Sequence, residues 1–163
     1  MKQSQVNNLF HRKAQFSNTI INKTIGMDHP WHYRNKSQLP IGKDRDGKAI
    51  IGYYRQRSHD IIDMDSCLIQ DDVHQDIMNH VKQWIIDYDI SVYNESTKKG
   101  LLRHLVIRTG YYSDDKMVVF VTNGKNFQQA SILVEKLKET FPNITSIKQN
   151  INCLLYTSLS GLA

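Results

Sequence analysis

The chain has 163 residues, 40% hydrophobic and 23% charged, which fits one folded domain with a single core and argues against a disordered chain. No apolar run approaches the roughly 18 residues of a membrane span, and the opening MKQSQVNNLFHRKAQ has no apolar signal core. The formal charge is +5, yet residues 1–60 hold 11 Lys/Arg against 4 Asp/Glu, so the basic excess sits in that part. Such asymmetry fits a polyanion partner, most simply nucleic acid, or a plain solvated basic surface.

Val6, Leu9, Phe10 and Lys13 have ragged helical spacing, so residues 1–16 are expected to be a short N-terminal helix. Trp31 to Leu39 alternates and predicts a strand. Trp31, Tyr33, Asn35, Ser37, Leu39 and Ile41 share one side, and His32, Arg34, Lys36 and Gln38 the other. Pro40 marks the strand's end or an edge. GKDRDGK (42–48) is a turn, with Asp46-Gly47 its strongest signal, and AIIGYYR (49–55) returns as the second strand of a hairpin. Residues 59–69 hold a short strand and then a loop.

Asp71 to about Tyr88 predicts a helix, with Val73, Ile77, Val81, Trp84, Ile85 and Tyr88 on one face and Asp71 and Asp72 at its N-terminal end. NESTKKG (94–100) is a polar loop. Residues 101–110 and 117–122 pair as a second hairpin across YYSDDK. Residues 126–140 predict a second long helix, with Ala130, Leu133, Val134 and Leu137 inward, stopped at Phe141-Pro142-Asn143. Residues 144–150 read as a last strand. The expected fold is α+β: an antiparallel sheet of two hairpins plus a last strand, with two long helices packed on it and a short N-terminal helix.

No nucleophile elbow, phosphate-binding P-loop or dinucleotide turn is present. His29 and His32 flank Pro30 and Trp31, which is not the spacing of a helical metal pair. Asp63 and Asp65 would share a strand face, as a carboxylate pair or as a solvated strand end. Cys67 alone reads as a small buried residue unless its thiol is activated or joined by other ligands. What remains is basic strands interleaved with rings. Arg34 and Lys36, Arg55 and Arg57, then Arg103, His104 and Arg108 lie near Trp31, Tyr33, Tyr53 and Tyr54. Cations for phosphates beside rings for bases suit single-stranded or looped RNA. The other reading is rings in the core and cations on a solvated sheet.

Five stretches then carry a resemblance: PWHYRNKSQLPIG (30–42), GYYRQRSHDIIDMDSCLIQ (52–70), KKGLLRHLVIRTG (98–110), MVVFVTNG (117–124) and FPNITSIKQNIN (141–152). In this order and spacing the chain resembles the SAM-dependent RNA uracil-5-methyltransferases of the RumA/TrmA type, most closely the bacterial 23S rRNA branch, over roughly residues 5–152. The resemblance implies a central α+β domain, which in the whole enzymes precedes a SAM-binding domain. In such enzymes a cysteine thiolate attacks carbon 6 of a flipped-out uracil, and carbon 5 then takes the methyl group of SAM. Many members carry a 4Fe-4S cluster held by a C-x5-C-x2-C group and a fourth, distant cysteine. Cys67, in MDSCLIQ, matches that fourth ligand, and the other three have no match here.

The resemblance therefore implies a truncated 23S rRNA (uracil-5-)-methyltransferase. The parent would use SAM and a 4Fe-4S cluster. This chain alone, without catalytic cysteine or SAM domain, is expected to be inactive and to bind neither. The expected RNA contacts are His32, Tyr33, Arg34, Lys36, Arg55, Arg57, Arg103 and Arg108. The expected partner is 23S rRNA, with no DNA and no membrane, for a cytoplasmic monomer. The alternative is a non-catalytic RNA-binding module. The expected organisation is an N-terminal helix and connector (1–28), the central domain (29–152) and a non-native tail (153–163). CLLYTS in that tail can be encoded by codons that match a transposase adaptor used in sequencing libraries.

Overall fold

A computed structural model describes residues 1–16 and 18–153. The expected tail lies outside the described residues except for Cys153. The chain divides into two compact units, residues 1–30 and 31–163. In the first, helix α1 (Lys2–Asn8) passes into a wider π turn over Leu9–Lys13, and α1 buries no residue. The Gln3 side-chain carbonyl accepts from the Thr24 N–H at 2.6 Å and from its hydroxyl at 2.7 Å, which closes this unit on itself.

The second unit is a six-stranded sheet. Its strands are β1 (Lys36–Lys43), β2 (Ala49–Tyr54), β3 (Ile61–Asp63), β4 (Leu102–Thr109), β5 (Lys116–Thr122) and β6 (Ile144–Ile151), in the order β3-β2-β1-β4-β5-β6. The two hairpins are present. At the first turn the Asp44 carboxylate accepts from the Asp46 and Lys48 N–H groups at 3.0 and 2.8 Å, and Gly47 takes a positive φ of 82°. The sheet is mixed rather than antiparallel, because β6 pairs parallel to β5. The physical reason is the connection: helix α3 (Ala130–Thr140) lies between them and returns the chain to the end where β5 began.

The first strand also differs from expectation. It starts at Lys36, not Trp31, and runs through Pro40 to Lys43. His32 has φ 52°, which breaks the extended run, and residues 32–34 bond to the loop at 68–70 instead. Pro40 is tolerated inside the sheet because β1 changes partner there. Lys36 to Pro40 are in register with β4, and Ile41 to Lys43 with β2. From Lys36 onward the expected alternation holds: Ser37, Leu39 and Ile41 are buried, and Lys36 and Gln38 only half-buried.

Helix α2 (Asp72–Asp87) covers one face of this sheet. Asp71 caps it by accepting from the Val73 N–H at 3.2 Å. Ile77, Met78, Val81, Trp84 and Ile85 are buried, and so is His74, while Val73 is only half-buried. These side chains meet Leu39, Ile51, Leu105, Ile107, Val118 and Phe120 in one core cluster. Helix α3 has 11 residues, shorter than expected, and buries Leu133 and Leu137. It starts late because Gln129 takes φ 56° and Phe127 turns edge-on to the rings of Trp84 and Phe120, at 5.8 and 5.7 Å. Among the described residues, no helix is long and apolar enough to cross a membrane.

Candidate nucleic-acid interface

Strand directions decide where the cations fall. The N-terminal ends of β1 and β5 and the C-terminal ends of β2 and β4 point the same way. That end of β1 and β4 brings Lys36 and Arg108 together, with the segment 31–35 leading into it; the exposed Arg55 and Arg57 lie in the β2–β3 turn, where His59 bonds Glu95 at 2.8 Å, and do not line the cavity beside that pair. Lys36 and Arg108 are direct cross-strand partners. They line an open cavity of about 310 Å³ together with Asn35, Thr109, Gly110, Asp115, Lys116, Met117 and Thr145.

His32, Tyr33 and Arg34 are not on the strand as expected, but they are held in place. The N–H groups of His32 and Arg34 donate to the carbonyls of Leu68 and Ile69 at 3.0 and 2.8 Å. His32 Nδ1 donates to the Gln70 carbonyl at 2.7 Å, and Asp72 Oδ1 lies 3.4 Å from the same nitrogen. Gln70 also bonds the Tyr53 hydroxyl. Burial raises the pKa of that hydroxyl above its ordinary value, while Arg34 beside it works the other way. Trp31 and Tyr33, expected on the mixed, partly apolar face of a strand, are 55% and 53% exposed. The reason is that the period-two pattern extends to residues that never enter the sheet.

Arg103 lies at the opposite end of β4. Its guanidinium sits 4.5 Å from the centre of the Tyr93 ring and donates to the Asn152 carbonyl at 2.6 Å. It ties the chain together rather than lining the cavity with Lys36 and Arg108.

Cys67 is half-buried and packs against the core. With His32, Gln70, Asp72 and four other residues it edges a cavity of only about 80 Å³. Among the described residues, no group of three or more His, Cys, Asp or Glu side chains could hold a metal ion. A 4Fe-4S cluster held by four cysteines does not fit the residues described, whose cysteines are Cys67 and Cys153.

Three features escaped the sequence reading. His74 is fully buried, with Nδ1 2.5 Å from the Ser37 hydroxyl and Nε2 2.8 Å from that of Thr109. It joins α2 to β1 and β4. Burial lowers its pKa; Asp71 partly opposes this, and Lys116 adds to it. Lys116 is 5% exposed, with Nζ 2.6 Å from Asp114 Oδ1. Tyr111 and Tyr112, in what read as a plain turn, are 81% and 98% exposed. The helical period of α2 shows an inward position at His74, but a histidine there reads as polar; exposure of turn residues has no periodic signal.

The chain is similar to RNA methyltransferases. It is 65% identical over 152 residues to an uncharacterized RNA methyltransferase of Staphylococcus epidermidis, covering 93% of this chain and 33% of that protein. A second such protein, from Staphylococcus aureus, is 62% identical over 152 residues, with 34% of it covered. The chain thus spans about a third of the length of the curated relatives it matches. Among solved structures it is similar to a tRNA (uracil-54, C5)-methyltransferase of Pyrococcus abyssi in complex with S-adenosyl-L-homocysteine. The TM-score is 0.63 at 25% identity, covering 80% of this chain and 29% of that one. No family model matches the chain.

Proposed function

We propose that this chain is the central, RNA-facing part of a SAM-dependent RNA uracil-5-methyltransferase of the bacterial 23S rRNA branch. The observation that carries the reading is the 65% identity over 93% of the chain to an RNA methyltransferase. The likeness to a tRNA uracil-C5 methyltransferase supports uracil carbon 5 as the methylated position. The pairing of Lys36 with Arg108 across β1 and β4, with His32, Tyr33 and Arg34 in the segment leading to Lys36, supports an RNA-holding role; Arg55 and Arg57 are added to it as exposed cations of the β2–β3 turn. Methyl transfer and SAM binding belong to the whole enzyme, and this chain by itself holds RNA without methylating it. Cys67 in the whole enzyme would serve as one ligand of an iron–sulfur cluster whose other ligands this chain does not supply.

The test is a titration of the full chain with a 23S rRNA fragment at several salt concentrations, with a tritiated-SAM assay beside it. The expected result is binding that weakens steeply with salt, weakens further in Arg34→Ala/Lys36→Ala, and transfers no methyl group. Salt-independent or absent binding would overturn the RNA role, and turnover would overturn the inactivity. A second reading, a free-standing RNA-binding module, rests on the same basic end of the sheet. A reading frame that continues into a SAM-binding domain decides against it.

A further inference from the structure

The two most exposed tyrosines among the described residues stand side by side at the tip of the β4–β5 turn, and that turn is braced from several sides. The Gly110 N–H donates to the Asp115 carbonyl at 2.8 Å, and the Asp114 N–H to the Gly110 carbonyl at 2.9 Å. Asp114, at φ 57°, is clamped by Lys116 Nζ at 2.6 Å and by the Asn143 side-chain amide at 2.5 Å. The Lys116 hydrogen bond holds the Asp114 carboxyl below its ordinary pKa, so one of the two acids of this turn has a cationic partner. Next to the turn's base, the Thr109 N–H donates to the Asn35 carbonyl at 2.9 Å. The rings of Tyr111 and Tyr112 meet edge to face, with centroids 5.1 Å apart at 90°. No core contact explains why two large rings are fixed in solvent.

The turn springs from the rim of the cavity of about 310 Å³, whose lining includes Gly110 and Asp115 of the turn together with Lys36 and Arg108. Rings on a braced tip, with cations set at its base, match the two demands of a nucleic-acid strand: a flat surface for a base and positive charge for its phosphate. A protein partner would use the rings but gives no reason for the cations below them.

We propose that Tyr111 and Tyr112 form a stacking platform for a base of single-stranded RNA, and that Lys36 and Arg108 hold an adjoining phosphate in the cavity beneath. This inference rests on the RNA-holding reading above and adds its site and the form of RNA it takes. Because the platform uses ring faces, it accepts any unstacked base and rejects duplex, whose bases are already stacked. Asp115, on the cavity rim, is the one carboxylate that opposes the phosphate.

The experiment is fluorescence anisotropy of a labelled single-stranded oligouridylate of about 12 nucleotides with the full chain. An RNA hairpin of equal length serves as the duplex arm. Tyr111→Ala/Tyr112→Ala is expected to weaken single-strand binding by about tenfold, and Tyr111→Phe/Tyr112→Phe by less than about twofold, because the ring face is kept. Lys36→Ala/Arg108→Ala is expected to lower the salt slope by about one, and Asp115→Asn to tighten binding. The tyrosine and Asp115 changes are at exposed positions and Lys36 and Arg108 are half-buried, so the melting temperature of each variant is read beside its affinity to report folding. If the wild-type chain binds and the alanine pair binds equally well, the platform is overturned while the RNA reading stands. A phenylalanine pair as weak as the alanine pair, or a hairpin bound as tightly as the single strand, also overturns it. Absence of any RNA binding at low salt overturns both.

Discussion

The two ends of the six-stranded sheet are built from similar residues put to different uses. At one end Arg108 and Lys36 line an open cavity, and at the other Arg103 stacks on Tyr93 and bonds the Asn152 carbonyl. The two arginines lie five positions apart on one strand and look equally basic in sequence. What separates them is the neighbour each strand end meets. The histidines repeat the lesson. His74, toward the cavity end, has both ring nitrogens bonded to hydroxyls. His104, in register with Pro40 and Val121, has a buried Nδ1 without a partner among the described residues. Its pKa is pushed down to about 4 by burial and by Arg103.

The largest expected effect comes from breaking what both ends share. Leu105→Ala removes a fully buried side chain midway along β4 and is expected to cost about 2–5 kcal/mol in a urea unfolding curve. Both ends should loosen together in hydrogen exchange; protection lost at one end alone would show that they fold separately.

Acid comes next. Both histidines have folded pKa values below their unfolded value of about 6.5, so the unfolded chain binds protons first as pH falls. Their stabilisation is complete above about pH 6.5 and is lost as pH drops below it, with the His104 share levelling off at about 4. For His104 alone the loss across that window is about 3 kcal/mol. His104→Leu should flatten this part of the stability profile and change stability at pH 7 by less than about 1 kcal/mol, since it breaks no hydrogen bond of Nδ1. His74→Ala should instead cost about 2–3 kcal/mol at pH 7, because it strands the buried Ser37 hydroxyl. Equal costs for the two would erase the distinction between the ends.

The arginines themselves give a smaller and more selective effect. Arg108→Ala is expected to weaken binding of single-stranded RNA severalfold. Arg103→Ala should lower stability by about 1 kcal/mol, through the lost stack and carbonyl bond, without moving the RNA affinity. The reverse pattern in paired binding and melting measurements would exchange the roles assigned to the two ends. A comparably small effect is expected from Asp71→Ala, at about 1 kcal/mol of helix α2 stability. Circular dichroism melts can read it, and RNA affinity at the neighbouring cavity should not change.

How much of this was legible depends on how local each signal is. Helix α2 was readable because its cap and its inward residues repeat at a helix's own period; the histidine among them was not, since its two hydroxyl partners lie on strands 37 and 35 residues away. The first hairpin was readable from Asp46-Gly47, whose turn chemistry is complete within four residues. The start of β1 was not, because Trp31 to Asn35 keeps the alternation of a strand while its hydrogen bonds go to residues 68–70. For the site, residue types were legible and grouping was not. Lys36 and Arg108 were candidates as separate cations, and only the β1–β4 register makes them neighbours.

Composition and periodicity by themselves therefore determined an α+β chain with a basic first part, two hairpins, an amphipathic helix α2 and a core drawn from its apolar faces. These follow from interactions between residues a few positions apart. Tertiary structure alone decided that β6 runs parallel to β5, that Pro40 can sit inside the sheet, that Arg103 stacks on Tyr93 and bonds Asn152, that Arg108 lines a cavity, and that Tyr111 and Tyr112 stand in solvent. Each of those depends on which distant segment comes to lie beside the residue, and no local spacing encodes that choice.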